Sequence, residues 1–472
     1  MLIKRYSILI ISFLGFINFP IKTTAQTDTI HYDISASGLI SSGDYAPFWL
    51  QNKSYGTTSS KPGSSQLNVS AEKNMNRNGD WFDFGGKFSA ECQVDKTGTN
   101  VFIDELYLKT RLFFVDFSIG AKHEIYGNQD SVLSCGGLLF SQNSRAIPKI
   151  YAGIENFKPI PFTYGYLEIK GGLSHGVFND NIYVQSIFLH HKYAYARVGG
   201  KLPVNIQYGL DHVAQWGGTH PIYGKMYDGF NDYLNIFFIH GGGNITSEQI
   251  NAQGNHIISQ SAKIELKISN FRISGYMQNI SEDRPIKLFW EAPNKSDGLW
   301  GMSVKNKNFP FIKSILYEYL STTDQSGPYH DKDGIIYGGN DSYFYNGIYP
   351  TGWSYFQRTI GTPFITSSVY NKNGEIYITN NRTQVHHFGL SGEFGKYYFK
   401  ALASFSKNYG TYNKPYSACK TSSDFLLDVN HKFEHLWGIN AGLKIGADFG
   451  AMYGNNTGIQ ITLRKSGDLW KW

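Results

Sequence analysis

Residues 81–95 read WFDFGGKFSAECQVD, and their pattern decides the fold. Phe82, Phe84, Gly86, Phe88, Ala90, Cys92 and Val94 fall on one side of an extended chain, and Asp83, Lys87, Glu91, Gln93 and Asp95 on the other, because successive strand side chains point to opposite faces. The alternation returns where Ile439, Ala441, Leu443, Ile445, Ala447 and Phe449 interleave with Asn440, Lys444 and Asp448, and again in 101–112, 204–214, 257–268 and 396–406. A soluble sandwich would bury its apolar faces in one core and would not need charge at so many inner positions. A membrane barrel, with hydrocarbon outside and a polar lumen inside, requires that arrangement.

The connections between these strands discriminate further. Short ones, at Phe113-Phe114, Lys201 to Pro203, Asn270, Gly395 and Glu434 to Trp437, alternate with long ones rich in Gly, Asn, Ser and Tyr. Outer-membrane barrels have tight periplasmic turns and long outer loops. That rule threads eighteen strands: 30–40, 66–76, 81–94, 101–112, 114–123, 148–156, 162–173, 193–201, 204–214, 257–268, 271–280, 297–306, 312–323, 384–394, 396–406, 424–433, 438–450 and 457–465. The fold class is therefore all-β, an up-and-down antiparallel transmembrane barrel with long extracellular loops. Counting Ile236 to Ile239 as a spanning strand would turn the tight Asn270 connection outward, so 215–256 is assigned to an outer loop with local structure. The spacing of Val184, Ile187, Phe188 and Tyr195 suggests a short helix around 182–191.

Composition agrees with this reading. The 472 residues include 33 Phe, 33 Tyr, 9 Trp and 51 Gly, too much apolar surface for a disordered chain. After residue 25 no run approaches the ~18 apolar residues of a spanning helix. Residues 1–25 read as an export signal, with Lys4 and Arg5 before an apolar run from Ser7 to Phe19 and a cut expected between Ala25 and Gln26. The barrel then comprises 26–472. Losing Lys4, Arg5 and Lys22 takes the net charge from +6 to +3, which removes the support for a nucleic-acid partner. Cys92, Cys135 and Cys419 leave room for at most one bridge, with Cys135 and Cys419 both expected in outer loops and Cys92 facing lipid. Toward the end, Trp470 is out of phase with Ile459, Ile461 and Leu463, and a bulge near Ser466-Gly467 would restore it and present Trp472 as the aromatic end for barrel insertion.

Enzyme motifs fail. Gly389-Leu-Ser391-Gly-Glu393 lacks the final Gly of a nucleophile elbow, and His123-Glu124 lacks the second His of a zincin. His190-His191 and His386-His387 are neighbours that point apart in a strand, so neither pair chelates one metal, and no metal or cofactor is expected. Asp331-Lys-Asp333-Gly334 lacks the rest of a calcium loop. The outer loops instead mix Tyr45, Phe48, Trp49, Trp216, Tyr223, Tyr227, Trp290, Tyr343, Tyr345, Tyr349, Trp353, Tyr355 and Phe356 with amides, carboxylates and glycine. Aromatic faces stack on sugar C–H faces while planar polar groups meet hydroxyls. The competing explanation is that about half of these rings form girdles or the loops' own small cores.

Five segments and a sixth carry a resemblance: 135-CGGLLFSQNSRAIPK-149, 188-FLHHKYAYARVGG-200, 209-GLDHVAQWGG-218, 297-DGLWGMSV-304, 315-ILYEYLSTTDQSGPYHD-331 and 352-GWSYFQRTIGTPFI-365. They resemble the capsule assembly protein Wzi family of Gram-negative bacteria. The resemblance implies an eighteen-stranded outer-membrane barrel acting as a surface lectin that holds capsular or extracellular polysaccharide, with no catalytic residues. The family's best-known members carry periplasmic helices, for which the short turns here leave no room. The expected partners are the polysaccharide, outer-membrane lipid and the polysaccharide export machinery. The alternatives are a porin-like channel and a rim-located hydrolase. We expect 124–147, 215–256 and 324–383 to fold together over the mouth, with Arg145, Lys192, Asp228, Gln325, His330 and Arg358 offering hydrogen bonds and Trp216, Tyr349 and Trp353 stacking. Arg145 and Arg358 could equally pin loops to lumen carboxylates such as Glu105 or Glu318.

Overall fold

Eighteen antiparallel strands pair in chain order, and the last returns to the first. In the computed structural model, which describes residues 28–75, 81–243, 245, 252–282, 291–292, 294–327 and 339–471, these are β1 (Thr29–Ser41), β2 (Gly63–Lys73), β3 (Phe82–Asp95), β4 (Gly98–Leu112), β5 (Val115–Ala121), β6 (Lys149–Pro159), β7 (Leu167–Val177), β8 (Phe188–Val198) and β9 (Val204–Trp216), followed by β10 (Asn255–Ile268), β11 (Phe271–Glu282), β12 (Gly298–Asn306), β13 (Ile312–Ser321), β14 (Thr383–Phe394), β15 (Tyr397–Gly410), β16 (Pro415–Phe433), β17 (Ile439–Gly450) and β18 (Asn456–Lys471). β1 pairs with both β2 and β18, so no edge is left unpaired. Every threaded strand has its counterpart.

The outer wall is the apolar face of the alternation. Phe82, Phe84, Phe88, Leu106, Leu108, Ile119, Ile206, Ile264, Ile459, Ile461 and Leu463 are all exposed on it. Inward-facing partners are charged and paired with one another. Lys109 contacts Glu155, Lys122 reaches Glu155 at 2.8 Å, and Arg111 donates to Asp116 at 2.9 Å. Such pairs neutralise one another in the confined polar lumen. A bulge in β4 opposite Ser89/Ala90 lets both Asp104 and Glu105 turn into the lumen, where they are buried.

Three departures from expectation have local causes. Residues 182–187 form an irregular segment, and 188–191 belong to β8, which begins five residues earlier than threaded. There is no helix at 182–191. The apolar spacing arises because Leu189 faces the plug while Val184 and Ile187 sit in the same core above it. β7 likewise shifts toward the outer rim. Cys419 lies in β16 and is exposed, whereas Cys135 is buried in the lumen, and the two are not bridged. At the chain end the bulge occurs at Leu469, opposite the Ile30/His31 step, two residues beyond its expected place, and it returns Trp470 to the outer face. The first 27 residues and Trp472 lie outside the described residues, and with them the expected cut and terminal aromatic. Among the described residues no helix occupies the periplasmic turns.

Candidate functional site

Two of the three loops expected over the mouth enter the lumen instead of capping it, whereas in the third the helical residues 230–238 lie against the outside of the barrel wall. Residues 42–62, 122–148 and 339–382 share one apolar core containing Phe48, Leu138, Tyr343, Tyr349, Trp353 and Phe364, all but fully buried. Their backbones are laced together: Trp353 Nε1 donates to the Leu139 carbonyl at 2.8 Å, Ser141 N to Ile360 at 2.9 Å and Thr362 N to Leu138 at 3.2 Å. The polar inner wall grips them. Cys135 N donates to Glu318 at 2.6 Å, the Leu133 carbonyl meets His387 Nε2 at 2.7 Å, and Phe344 N donates to Glu282 at 2.7 Å. Lumen polarity thus supplies the partners that a buried loop backbone requires.

The residues expected to bind sugar are dispersed by this packing. Trp353 and Tyr349 are core, and the Tyr349 hydroxyl donates to the Gly217 carbonyl at 3.2 Å. Gln325 is buried, with Nε2 donating to the Thr322 and Asn381 carbonyls at 3.0 and 2.9 Å. Arg358 is buried and donates to the Thr58 carbonyl at 2.7 Å, and burial lowers its pKa. Arg145 lies between the Phe102 and Phe356 rings, 3.5 and 4.3 Å from their centroids. Neither arginine is ion-paired to Glu105 or Glu318. Phe356 and Gln357 hold positive φ angles of 48° and 61° as the two central residues of a tight hairpin whose strands are 354–355 and 358–359, the geometry of a type I′ turn. Lys192 and Trp216 lie on the outward face of β8 and β9, away from the mouth, and Asp228 pairs with Lys225 at 3.0 Å on the loop beside them. His330 falls outside the described residues.

An extracellular cleft of about 510 Å³ opens instead between residues 342–379 and the β15–β16 turn. Tyr345, Tyr377 and Tyr416 line it together with Ser342, Thr379, Thr411, Asn413 and Lys414. Lys414 Nζ donates to the Tyr377 hydroxyl at 3.1 Å, which raises the lysine pKa, and Asn371 Nδ2 fixes the loop by donating to the Glu375 and Tyr377 carbonyls at 2.8 Å. Asn413 Oδ1 accepts from Asn340 at 3.0 Å. Three ring faces with hydroxyl, amide and ammonium groups between them suit a hydroxyl-rich, partly apolar ligand. Of these groups the sequence had singled out Tyr345 alone. The signal for Thr411, Asn413, Lys414 and Tyr416 was the Thr411-Tyr-Asn-Lys-Pro-Tyr416 turn, which is as aromatic and polar as the long loops but short.

A second polar group lies in the lumen, where Asp104, Glu105 and His123 place ligand-capable atoms within 4.8 Å of one another. Lys87 contacts Glu105, and His123 stacks on Tyr55 at 3.6 Å with Nε2 3.0 Å from Asp104. The lysine already supplies the compensating cation, and the group reads as a lumen charge network.

Comparison with known proteins adds three findings. The family model described as capsule assembly protein Wzi matches residues 50–366. The fold resembles that of Wzi, an outer membrane protein involved in group 1 capsule assembly in Escherichia coli and described as a carbohydrate-binding β-barrel, with 12% identity, 92% of this chain and 84% of that chain covered, and a TM-score of 0.57. Pseudomonas aeruginosa OccK5 (OpdH) aligns at 6% identity over 94% of this chain and 99% of its own, with a TM-score of 0.49. No curated protein matches the sequence.

Proposed function

This chain belongs to the capsule assembly protein Wzi family, and on that premise we propose that it is a non-catalytic surface lectin, holding capsular or extracellular polysaccharide at the outer face of the outer membrane. One observation carries the reading: the tyrosine-lined cleft of about 510 Å³ opens outward above a lumen filled with packed loops. A polymer delivered by the polysaccharide export machinery would meet Tyr345, Tyr377 and Tyr416 from outside, with Asn413, Thr379 and Lys414 as hydrogen-bond partners. Residues 1–25 would serve as the cleaved export signal. Of the residues expected from sequence, Arg145 keeps a supporting part, because its guanidinium holds Phe356 at the half-exposed surface.

The test is binding of purified surface polysaccharide from the parent cell to the detergent-solubilised protein. At about 1 kcal/mol for each stacked ring, replacing Tyr345, Tyr377 and Tyr416 with Ala should weaken binding roughly 100-fold and release polymer into the medium, with barrel assembly intact. Undiminished binding by the triple variant would remove the cleft from the function.

A further inference from the structure

The outer wall is not apolar everywhere. Cross-strand pairing fixes which residues share a face: Ile206 and Ile264, both lipid-facing, oppose each other, and stepping by two along the same strands brings Lys192 opposite His212, Ala214 opposite both His190 and His256, and His175 opposite His190. Toward the rim, β7 to β10 therefore present four histidines and a lysine on the outside of the barrel. Bare imidazole and ammonium groups there would face hydrocarbon at a cost of several kcal/mol each. Residues 230–238, with Gln253, cover them.

Helix α2 (Phe230–Phe238), the successor of the single-turn α1 (Phe48–Gln51) in the plug, lies against this patch. Ile236 is fully buried against Ala214 and Trp216. Tyr233 and Phe237 pack on His190 with ring centroids 5.5 Å away, and the Phe237 carbonyl accepts from Lys192. His212 Nε2 and His256 Nδ1 are 2.8 Å apart, and His256 Nε2 meets the Gln253 carbonyl at 2.8 Å. A second stripe of α2, beside its contact face, is apolar as well: Phe230, Leu234 and Phe238, spaced i, i+4 and i+8, are 75%, 36% and 60% exposed. A helix with one face on a protein wall would turn a polar face to water. This one turns a phenylalanine–leucine stripe outward, beside a barrel whose neighbour is lipid.

Between the start of α2 and the wall runs a groove of about 840 Å³. Phe230, Tyr233 and Trp216 form one side, and Leu108, Ile119 and Leu173, members of the lipid-facing band, form the other. The groove is continuous with the surface that hydrocarbon chains already cover. We propose that α2 is embedded in the outer leaflet and that this groove holds an acyl chain of an outer-membrane lipid, clamped between the helix and β4–β7. Residues 228–238 are then a lipid-anchored side wall, and the proposal stands independently of the glycan reading.

Trp216 reports on it. The full chain is reconstituted in phosphatidylcholine vesicles with or without 9,10-dibrominated chains, and the Trp216 contribution is taken as wild type minus Trp216→Phe, with folding of both checked by heat-modifiable gel mobility. Bromolipid should quench that contribution severalfold more strongly than aqueous acrylamide does. Native mass spectrometry of the detergent-purified protein should also show one retained lipid, lost from Ala152→Trp, whose new ring fills the groove. Quenching by acrylamide but not by bromolipid would put α2 in water, and equal lipid retention by wild type and Ala152→Trp would leave the groove without an occupant. Either result overturns the proposal.

Discussion

Lys53 is a cation held inside the barrel, where its Nζ donates to the Ser134 carbonyl at 2.6 Å and burial, opposed by the Glu318 carboxylate, lowers its pKa to about 8. The free lysine value is 10.5. An unfolded chain therefore binds more protons at this position than the folded one between pH 8 and 10.5, so stability must rise with pH across that window, by at most about 3 kcal/mol. Below pH 8 the penalty is complete. We expect Lys53→Met to raise the thermal midpoint in detergent at pH 7, and the advantage over wild type to vanish as pH approaches 10.5; a constant difference across the window would contradict the assignment. Cys135 shows the opposite consequence of burial. Its thiol is pushed well above the ordinary value by burial first and then by Glu318, and the thiolate is the reactive form. At pH 8 a maleimide should label exposed Cys419 and spare Cys135 until the barrel is unfolded, with no change in mobility on a non-reducing gel.

At the scale of the strand, small residues make room for large ones on the neighbouring strand. A Cβ placed at Gly209 would collide with the Tyr195 ring across the β8–β9 pair, and one at Gly301 with the Tyr276 ring across β11–β12. Tyr276 lies over that gap to bring its hydroxyl to Glu318, which in turn holds the Cys135 amide. Gly301→Val should displace the ring and cost about 1–3 kcal/mol, read as a lower melting midpoint, whereas Gly275→Ala, where a Cβ meets only Ile264 at 3.6 Å, should be near neutral. The strands were legible in the sequence because each carries the two-residue period that lipid and lumen impose together. The start of β8 was not, because α2 replaces lipid as the neighbour of Phe188, His190 and Lys192, and the outward face there ceases to be apolar. Ile236 to Ile239 was read as strand-like because four consecutive apolar residues taken alone fit a buried strand as well as the end of a helix, and the helical period shows only when Phe230, Tyr233 and Leu234 are counted with them.

For the whole molecule, the filled lumen bears on transport. In planar bilayers the intact protein should show little conductance, and replacing 343–366 with a short Gly-Ser linker should open it, since that segment carries Trp353 and Phe364 in the plug core; a large pore in the intact protein would favour the channel reading. The loops' aromatic content could be read from the sequence, but their arrangement could not. Trp353 and Tyr377 are both loop aromatics, and tertiary packing makes one a core residue and the other a cleft wall. The sheet's closure also dictates a timetable. Thr29 pairs with Lys471, so the first strand laid down waits for the last, and its exposed edge must be guarded until the entire polypeptide has crossed into the periplasm. Because the two ends finish side by side, a permuted gene that joins them and begins at the Gly395 turn would keep every neighbour in the sheet while moving the final seam to β14 and β15.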